Sequence, residues 1–301
     1  MIVRILFALS LMASALAADV DKLWDYDRPA VSETRFRKAL EQAQQAGDAA
    51  TAGELLTQIA RAQGLQGDFQ AGNLTLDTVL PTMGQLPPAV SVRYLLERGR
   101  LINSAGEPKK AWRWFRNALS LAQRHNLDFY TIDALHMLGI VDSGKATLEW
   151  NQQAIQLAEK SSDMRAKDWL GSLYNNQGWT YHDQKDLPKA LDYLRKAQAW
   201  HEAHGSGKSL LVARWSVAKV LRESGEVERA LTILLDLERA WQRQGEEDGY
   251  VYEEIGENLL LTGRRDEARN YFARALAVLS KDEWLVKAEP ARIQRLRQLA
   301  Q

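Results

Sequence analysis

Two stretches of the chain carry residue types that could cradle a phosphate. Gly139-Ile-Val-Asp-Ser-Gly144-Lys145 has the glycine spacing and the lysine of a phosphate-binding loop. That chemistry also needs a magnesium-binding hydroxyl next in line and a strand before the loop. Ala146 stands in the first place, and an apolar helical pattern stands in the second. Gly207-Lys208-Ser209 has the lysine and the hydroxyl, but Glu202 replaces the upstream glycine. His201 and His204 share a helix face at a spacing that suits a metal ion, yet imidazoles in a last helical turn also serve the helix dipole. No Gly-x-Ser-x-Gly elbow and no His-Glu-x-x-His helix occurs, and the chain has no cysteine. The carboxylates are spaced as on solvated helix faces. No catalytic residue, metal site or cofactor is expected, so the remaining chemistry is that of recognition.

The elements that must position any recognition surface repeat along the chain. Small residues inside apolar helical patterns fall at Ala60, Gly99, Gly139, Gly178, Ala218 and Gly256, at intervals of 38 to 40 residues. Twelve residues after each stand Gly72, Ala111, Asn151, Ala190, Ala230 and Ala268, and nineteen after stand Val79, Ala118, Ala158, Ala197, Leu237 and Ala275. Sixteen after each, the residue is large and apolar: Leu76, Phe115, Ile155, Leu194, Leu234 and Phe272. Small residues let two antiparallel helices approach, and one large side chain fills the gap between them. Turn residues separate the halves of each unit, as in Gly106-Glu107-Pro108 and Lys185-Asp186-Leu187-Pro188. Pro108 and Pro188 fall in a first helical turn, where a missing amide hydrogen costs nothing.

These units resemble the tetratricopeptide repeat family. The best unit, LYNNQGWTYHDQKDLPKALDYLRKAQ from Leu173 to Gln198, carries the family's Gly178, Tyr181, Asp186, Ala190 and Ala197. Glu257 to Leu279 and Arg98 to Ala122 follow closely. Asn151, Val79 and Leu237 depart from the small-residue positions. The resemblance spans residues 49–279 and implies an all-α, right-handed α-solenoid of about six antiparallel helix pairs. First helices are expected near 49–63, 89–104, 129–143, 165–183, 209–224 and 249–262. Second helices are expected near 69–81, 108–124, 148–161, 188–203, 227–243 and 266–279. A lone N-terminal helix at 32–46 lies within an N-terminal segment, 18–48, and precedes the solenoid, 49–281. A C-terminal capping helix within 282–301, broken at Pro290 and polar outside through Arg292, Arg295 and Arg297, closes it.

In that family the first helix of each pair lines the concave surface. Projection of that face gives Arg61, Arg93, Arg100, Asn103, His136, Asn175, Trp179, His182, Trp215, Lys219, Arg222, Glu253 and Glu257 as candidate partner-binding residues. Asn175, Lys219 and Arg222 partly match a clamp that some members use for a peptide carboxylate. Trp179 and Trp215 supply aromatic anchors. The other reading of this face is an ordinary polar surface. Trp112, Trp114, Trp150, Trp200 and Trp241 fall on second helices, where packing between units is expected.

The first 17 residues, with Arg4, an apolar run from Ile5 to Met12 and Ala15-Leu16-Ala17, read as a cleaved secretory signal. Without them the charges are 38 basic (39 less Arg4) against 39 acidic. That balance argues against nucleic acid as partner, and no later stretch is apolar enough to insert the mature chain in a membrane. A periplasmic or secreted scaffold that binds a protein or peptide on its concave face is expected. The alternative is a cell-envelope assembly or secretion accessory that works through edge contacts.

Overall fold

Aspartate opens helix after helix in this chain. The carboxylates of Asp48, Asp68, Asp186, Asp248 and Asp282 each accept a hydrogen bond from a backbone amide two or three residues on, for example Asp48 from Thr51 N at 3.0 Å. Each satisfies a donor that the first turn would leave orphaned. The computed structural model describes residues 20–205 and 207–301. The expected signal segment and its cleavage point lie outside them.

The described residues form sixteen α-helices and two short 3₁₀ turns, with no strand. They fall into two compact units that divide between Asp168 and Trp169. The first unit holds the 3₁₀ turn Val20–Leu23, then α1 (Pro29–Gln45), α2 (Ala49–Leu65), α3 (Phe69–Asp77), α4 (Pro88–Ser104), α5 (Pro108–Arg124), α6 (Asp128–Val141), α7 (Lys145–Lys160) and α8 (Met164–Lys167). The second holds α9 (Leu170–Asp183), α10 (Leu187–Ala203), α11 (Gly207–Glu223), α12 (Val227–Arg243), α13 (Gly249–Leu261), α14 (Arg265–Leu279), α15 (Glu283–Ala288) and α16 (Pro290–Leu299). Successive helices pack as antiparallel pairs: α2 with α3, α4 with α5, α6 with α7, α9 with α10, α11 with α12 and α13 with α14. The architecture is an all-α repeat solenoid.

The repeated small residues sit where two helices touch. A Cβ added to Gly178 would lie 2.7 Å from Leu194 Cγ and 3.2 Å from the backbone oxygen of Ala190; one added to Gly256 would lie 2.8 Å from the Phe272 ring. The large residue sixteen positions on thus covers the small one, which is the origin of that spacing. Asn151, the departure in the third unit, lies over Gly139, with Oδ1 2.9 Å from where a Cβ would be. Leu237 is buried within α12, and Val79 is buried just past the end of α3.

Most helices lie within three residues of their expected bounds, and two differ by more. The helix expected at 69–81 ends at Asp77 and gives way to a 3₁₀ turn, Leu80–Gln85, because Pro81 and then Pro87 lack the amide hydrogen a longer helix needs. The helix expected at 165–183 breaks at Asp168 and Trp169. The turn between paired helices needs a left-handed residue. Gly106 supplies it at φ 86°, and Lys185 takes the same place at φ 64°. No described helix is long and apolar enough to cross a membrane.

Candidate functional site

In the second unit, helical spacing brings side chains from α9, α11, α13 and α16 to one open groove of about 580 Å³. Trp179 comes from α9; Trp215, Lys219 and Arg222 from α11; Tyr250, Glu253, Glu254 and Glu257 from α13. The aromatic rings form a row, with centroids 6.0 Å apart from Trp179 to Trp215 and 6.2 Å from Trp215 to Tyr250. The Trp215 indole donates to the Tyr250 backbone oxygen at 3.2 Å, which fixes the middle ring.

The charges of this groove are already matched. Glu254 accepts from Lys219 Nζ at 3.0 Å and from Arg222 Nε at 2.7 Å. Glu223 binds Lys219 at 3.1 Å and His182 Nε2 at 2.6 Å. Burial works to raise the Glu223 carboxyl, but His182 and Lys219 outweigh it and hold it below the usual range. Arg292 grips Glu253 through Nε and Nη2, at 2.9 and 2.5 Å to one oxygen, and its guanidinium lies 4.8 Å from the Tyr250 ring centre. Arg295 pairs with Glu257. The capping arginine Arg292 therefore turns onto α13, while Arg295 reaches Glu257 and stays about half exposed.

Of the residues projected onto the concave face, Trp179, Trp215, Lys219, Arg222, Glu253 and Glu257 meet in this one groove. His182 borders it, with its ring edge-on to Trp179 at 5.0 Å. Asn175 does not join them. It lines a separate pocket of about 290 Å³ with Ser172, His201 and Ser209. Lys219 and Arg222, read from sequence as receivers of a ligand carboxylate, face Glu254 instead. Glu254, Tyr250, Arg292 and Arg295 were missed. Glu254 is one residue from the projected Glu253, and only the crossing of α11 and α13 decides which carboxylate meets the cations.

The first unit builds a comparable surface from α2, α4 and α6. Arg61, Glu97, Arg100, Asn103 and Met137 line a cavity of about 210 Å³ with Leu65. Arg100 donates to Glu97 at 2.6 Å and also pairs with Asp133. Burial favours the neutral Asp133, but Arg100 and Arg61 overcome it and hold the carboxyl below its ordinary range. His136 is the reverse case: burial lowers its pKa to about 4, so it is neutral at pH 7. Arg93, almost fully buried, binds Glu54 at 2.9 Å, Tyr130 Oη at 2.9 Å and Asp21 at 2.8 Å. Asp21 belongs to the segment before α1. That segment also stacks Trp24 on Tyr26, 4.6 Å apart and 3° from parallel, with the Arg61 guanidinium 5.5 and 5.6 Å from the two rings.

The other polar candidates have local roles. Gly139 lies inside α6, and Asp142 beyond it accepts from the indoles of Trp112 and Trp150, at 3.1 and 2.7 Å. His204 stacks on Trp200 with centroids 4.0 Å apart, and its Nδ1 lies 2.7 Å from the Trp200 backbone oxygen. No cluster of three or more metal-capable side chains occurs among the described residues.

No protein-family model matches the chain, and no curated protein matches it. Solved structures do. The apo form of the quorum sensor NprR from B. thuringiensis is similar at TM-score 0.64 and 14% identity, over 97% of this chain and 81% of that one. NprR in complex with its cognate peptide NprX is similar at TM-score 0.56 and 14% identity, over 97% and 83%. The signal-transduction ATPase PH0952 from Pyrococcus horikoshii, which has a tetratricopeptide repeat sensor, is similar at TM-score 0.68 and 14% identity, over 97% of this chain and 47% of that one. BtubC from P. vanneervenii is similar at TM-score 0.59 and 16% identity, over 75% and 94%. Paired helices, small-residue contacts every 38 to 40 positions and these likenesses agree: the chain has the fold of the tetratricopeptide-repeat solenoids.

Proposed function

We propose that this chain is an exported, non-enzymatic scaffold that holds a protein or peptide partner on the concave faces of its first helices. The observation that carries the reading is the row Trp179, Trp215 and Tyr250 along an open groove whose ionic groups are paired among themselves. Three half-buried aromatic faces offer stacking area to an extended segment, and the surrounding charges can orient its backbone at little desolvation cost. NprR, of the same fold, is described with a bound peptide, which supports the class of ligand and not its identity. Removal of one aromatic anchor costs a binder about 2 kcal/mol, roughly thirtyfold in affinity. Trp179→Ala should therefore fold normally and fail to retain the partner that wild type captures from an envelope extract. Full retention by the variant overturns the groove reading.

Export rests on the first 17 residues. N-terminal sequencing of the periplasmic protein should begin at Ala18; Met1 on soluble cytoplasmic protein would refute it. The alternative, an envelope assembly or secretion accessory, is favoured by one feature of the first unit. Arg116 lies over both Trp112 and Trp150, at 5.6 and 5.3 Å, and Trp112 and, on α6, Ile140 are exposed. Loss of the partner on Trp112→Ala with Ile140→Ser, and retention on Trp179→Ala, would favour that reading.

A further inference from the structure

The segment before α1 occupies the first unit in the manner of a bound peptide. Its backbone bonds run within itself, Trp24 N to Asp21 O and Arg28 N to Asp25 O, and to side chains of α1. Ser32 Oγ accepts from Asp25 N at 2.7 Å and donates to Asp25 O at 2.9 Å, and Arg35 donates to Leu23 O at 3.4 Å. It is held on α2 and α4 by side chains alone. Asp21 takes Nη2 of Arg93, whose Nε is shared by Glu54 and Tyr130, and lies 3.6 Å from Arg165 of α8. The Trp24 indole donates to Gln58 Oε1 at 3.0 Å. Tyr26, about three-fifths exposed, completes the stack under Arg61. Arg61 is also a wall of the adjoining 210 Å³ cavity, whose apolar side is Leu65, Leu101 and Met137. The chain's own next residues, Asp27 and Arg28, are exposed and lead into α1, leaving that cavity unused.

Resting on the concave-face reading above, we infer that this surface is a binding site for acidic–aromatic peptide segments, with residues 20–26 as its occupant in cis. The recognised pattern is an acidic residue, a Trp three positions on and a second aromatic two beyond it. An apolar residue after the second aromatic enters the cavity that the cis segment leaves open. A partner with that extra residue gains contact area unavailable to residues 20–26 and displaces them.

The test uses the full chain and a labelled peptide, Val-Asp-Lys-Leu-Trp-Asp-Tyr-Leu, read by fluorescence anisotropy. Wild type competes with its own segment. The Trp24→Ala, Tyr26→Ala variant is open and should bind the peptide at least about tenfold tighter than wild type. Arg93→Met added to the open variant should abolish that gain, and a peptide ending in Asp instead of Leu should bind more weakly. An open variant with wild-type circular dichroism that binds no better than wild type overturns the inference. If the open variant loses helix, the exposed pair Asp21→Asn, Tyr26→Ala replaces it under the same criterion. Failure here with continued loss of the partner on Trp179→Ala sinks this inference alone; success here with no effect of Trp179→Ala sinks the second-unit groove alone.

Discussion

Arg222 and Glu254 lie on successive first helices, and the guanidinium binds the carboxylate through Nε at 2.7 Å and Nη2 at 3.2 Å. The Glu254 side chain is only 6% exposed, so the pair is a buried tie between neighbouring repeats rather than a surface decoration. Breaking it from one side strands a charge. Glu254→Gln should destabilise the second unit by about 2 kcal/mol, and Arg222→Met by a similar amount. The double variant should cost clearly less than their sum. Denaturant titration of the four proteins measures the coupling, and strict additivity would show that the pair does not act as a unit.

His136 makes stability depend on pH. Its folded-state pKa, about 4, lies below the ordinary 6.5, so the unfolded chain takes the proton first as pH falls. The stabilisation is complete above about pH 6.5 and is lost between 6.5 and 4, by about 3 kcal/mol. Asp133, with its pKa held low, loses its contribution only below that window. His136→Gln should flatten the stability curve between pH 6.5 and 4 relative to wild type. An identical slope in the two proteins would remove His136 as the cause.

The small-residue contacts should tolerate almost no added volume. Gly178→Ala forces Leu194 aside, and Ala190→Trp puts a ring into the same fully buried contact; each should cost about 1–3 kcal/mol or more. Leu194→Val should relieve part of the Gly178→Ala penalty by clearing the space. Thermal melting of the single and double variants decides it, and an unchanged melting curve for Ala190→Trp would contradict the packing.

Lys185 sits in a left-handed turn that glycine fills in four other helix pairs, at Gly67, Gly106, Gly225 and Gly263. A side chain in that conformation costs about 1 kcal/mol. Lys185→Gly should raise stability by about that amount, measured as a shift in denaturation midpoint; destabilisation would mean that the lysine has a compensating contact.

Much of the fold was legible because helix–helix contact depends on residue size at fixed spacing, and size is written directly in the sequence. Gly178 with Leu194 and Gly256 with Phe272 could be read that way. Pairing across repeats was not. Whether Lys219 meets Glu253 or Glu254 depends on the angle at which α11 crosses α13, and no local pattern encodes it. Arg292 looked like part of a solubilising outer face, since a charged residue near a chain end reads as solvated until its partner, here Glu253, is seen. The segment 20–26 carried no periodic signal, so nothing marked Trp24 and Tyr26 as the rings under Arg61. The aromatic pair Trp179 and Trp215 was picked out because the family resemblance points to the first helices as the concave face, and helical phase puts both rings on it.

The cross-helix ties make the repeats poor interchangeable parts. Excision of one full period between α9 and α13 would bring Trp179 and His182 to the places held by Lys219 and Arg222, forty residues later in each case. Glu254 would then stand beside an indole and an imidazole, with neither of its cations. The shortened chain would keep every small-to-large packing match and still carry a buried carboxylate without a counterion. Removal of a repeat from this chain is therefore limited by charge complementarity at the splice, not by the helix pair that is moved.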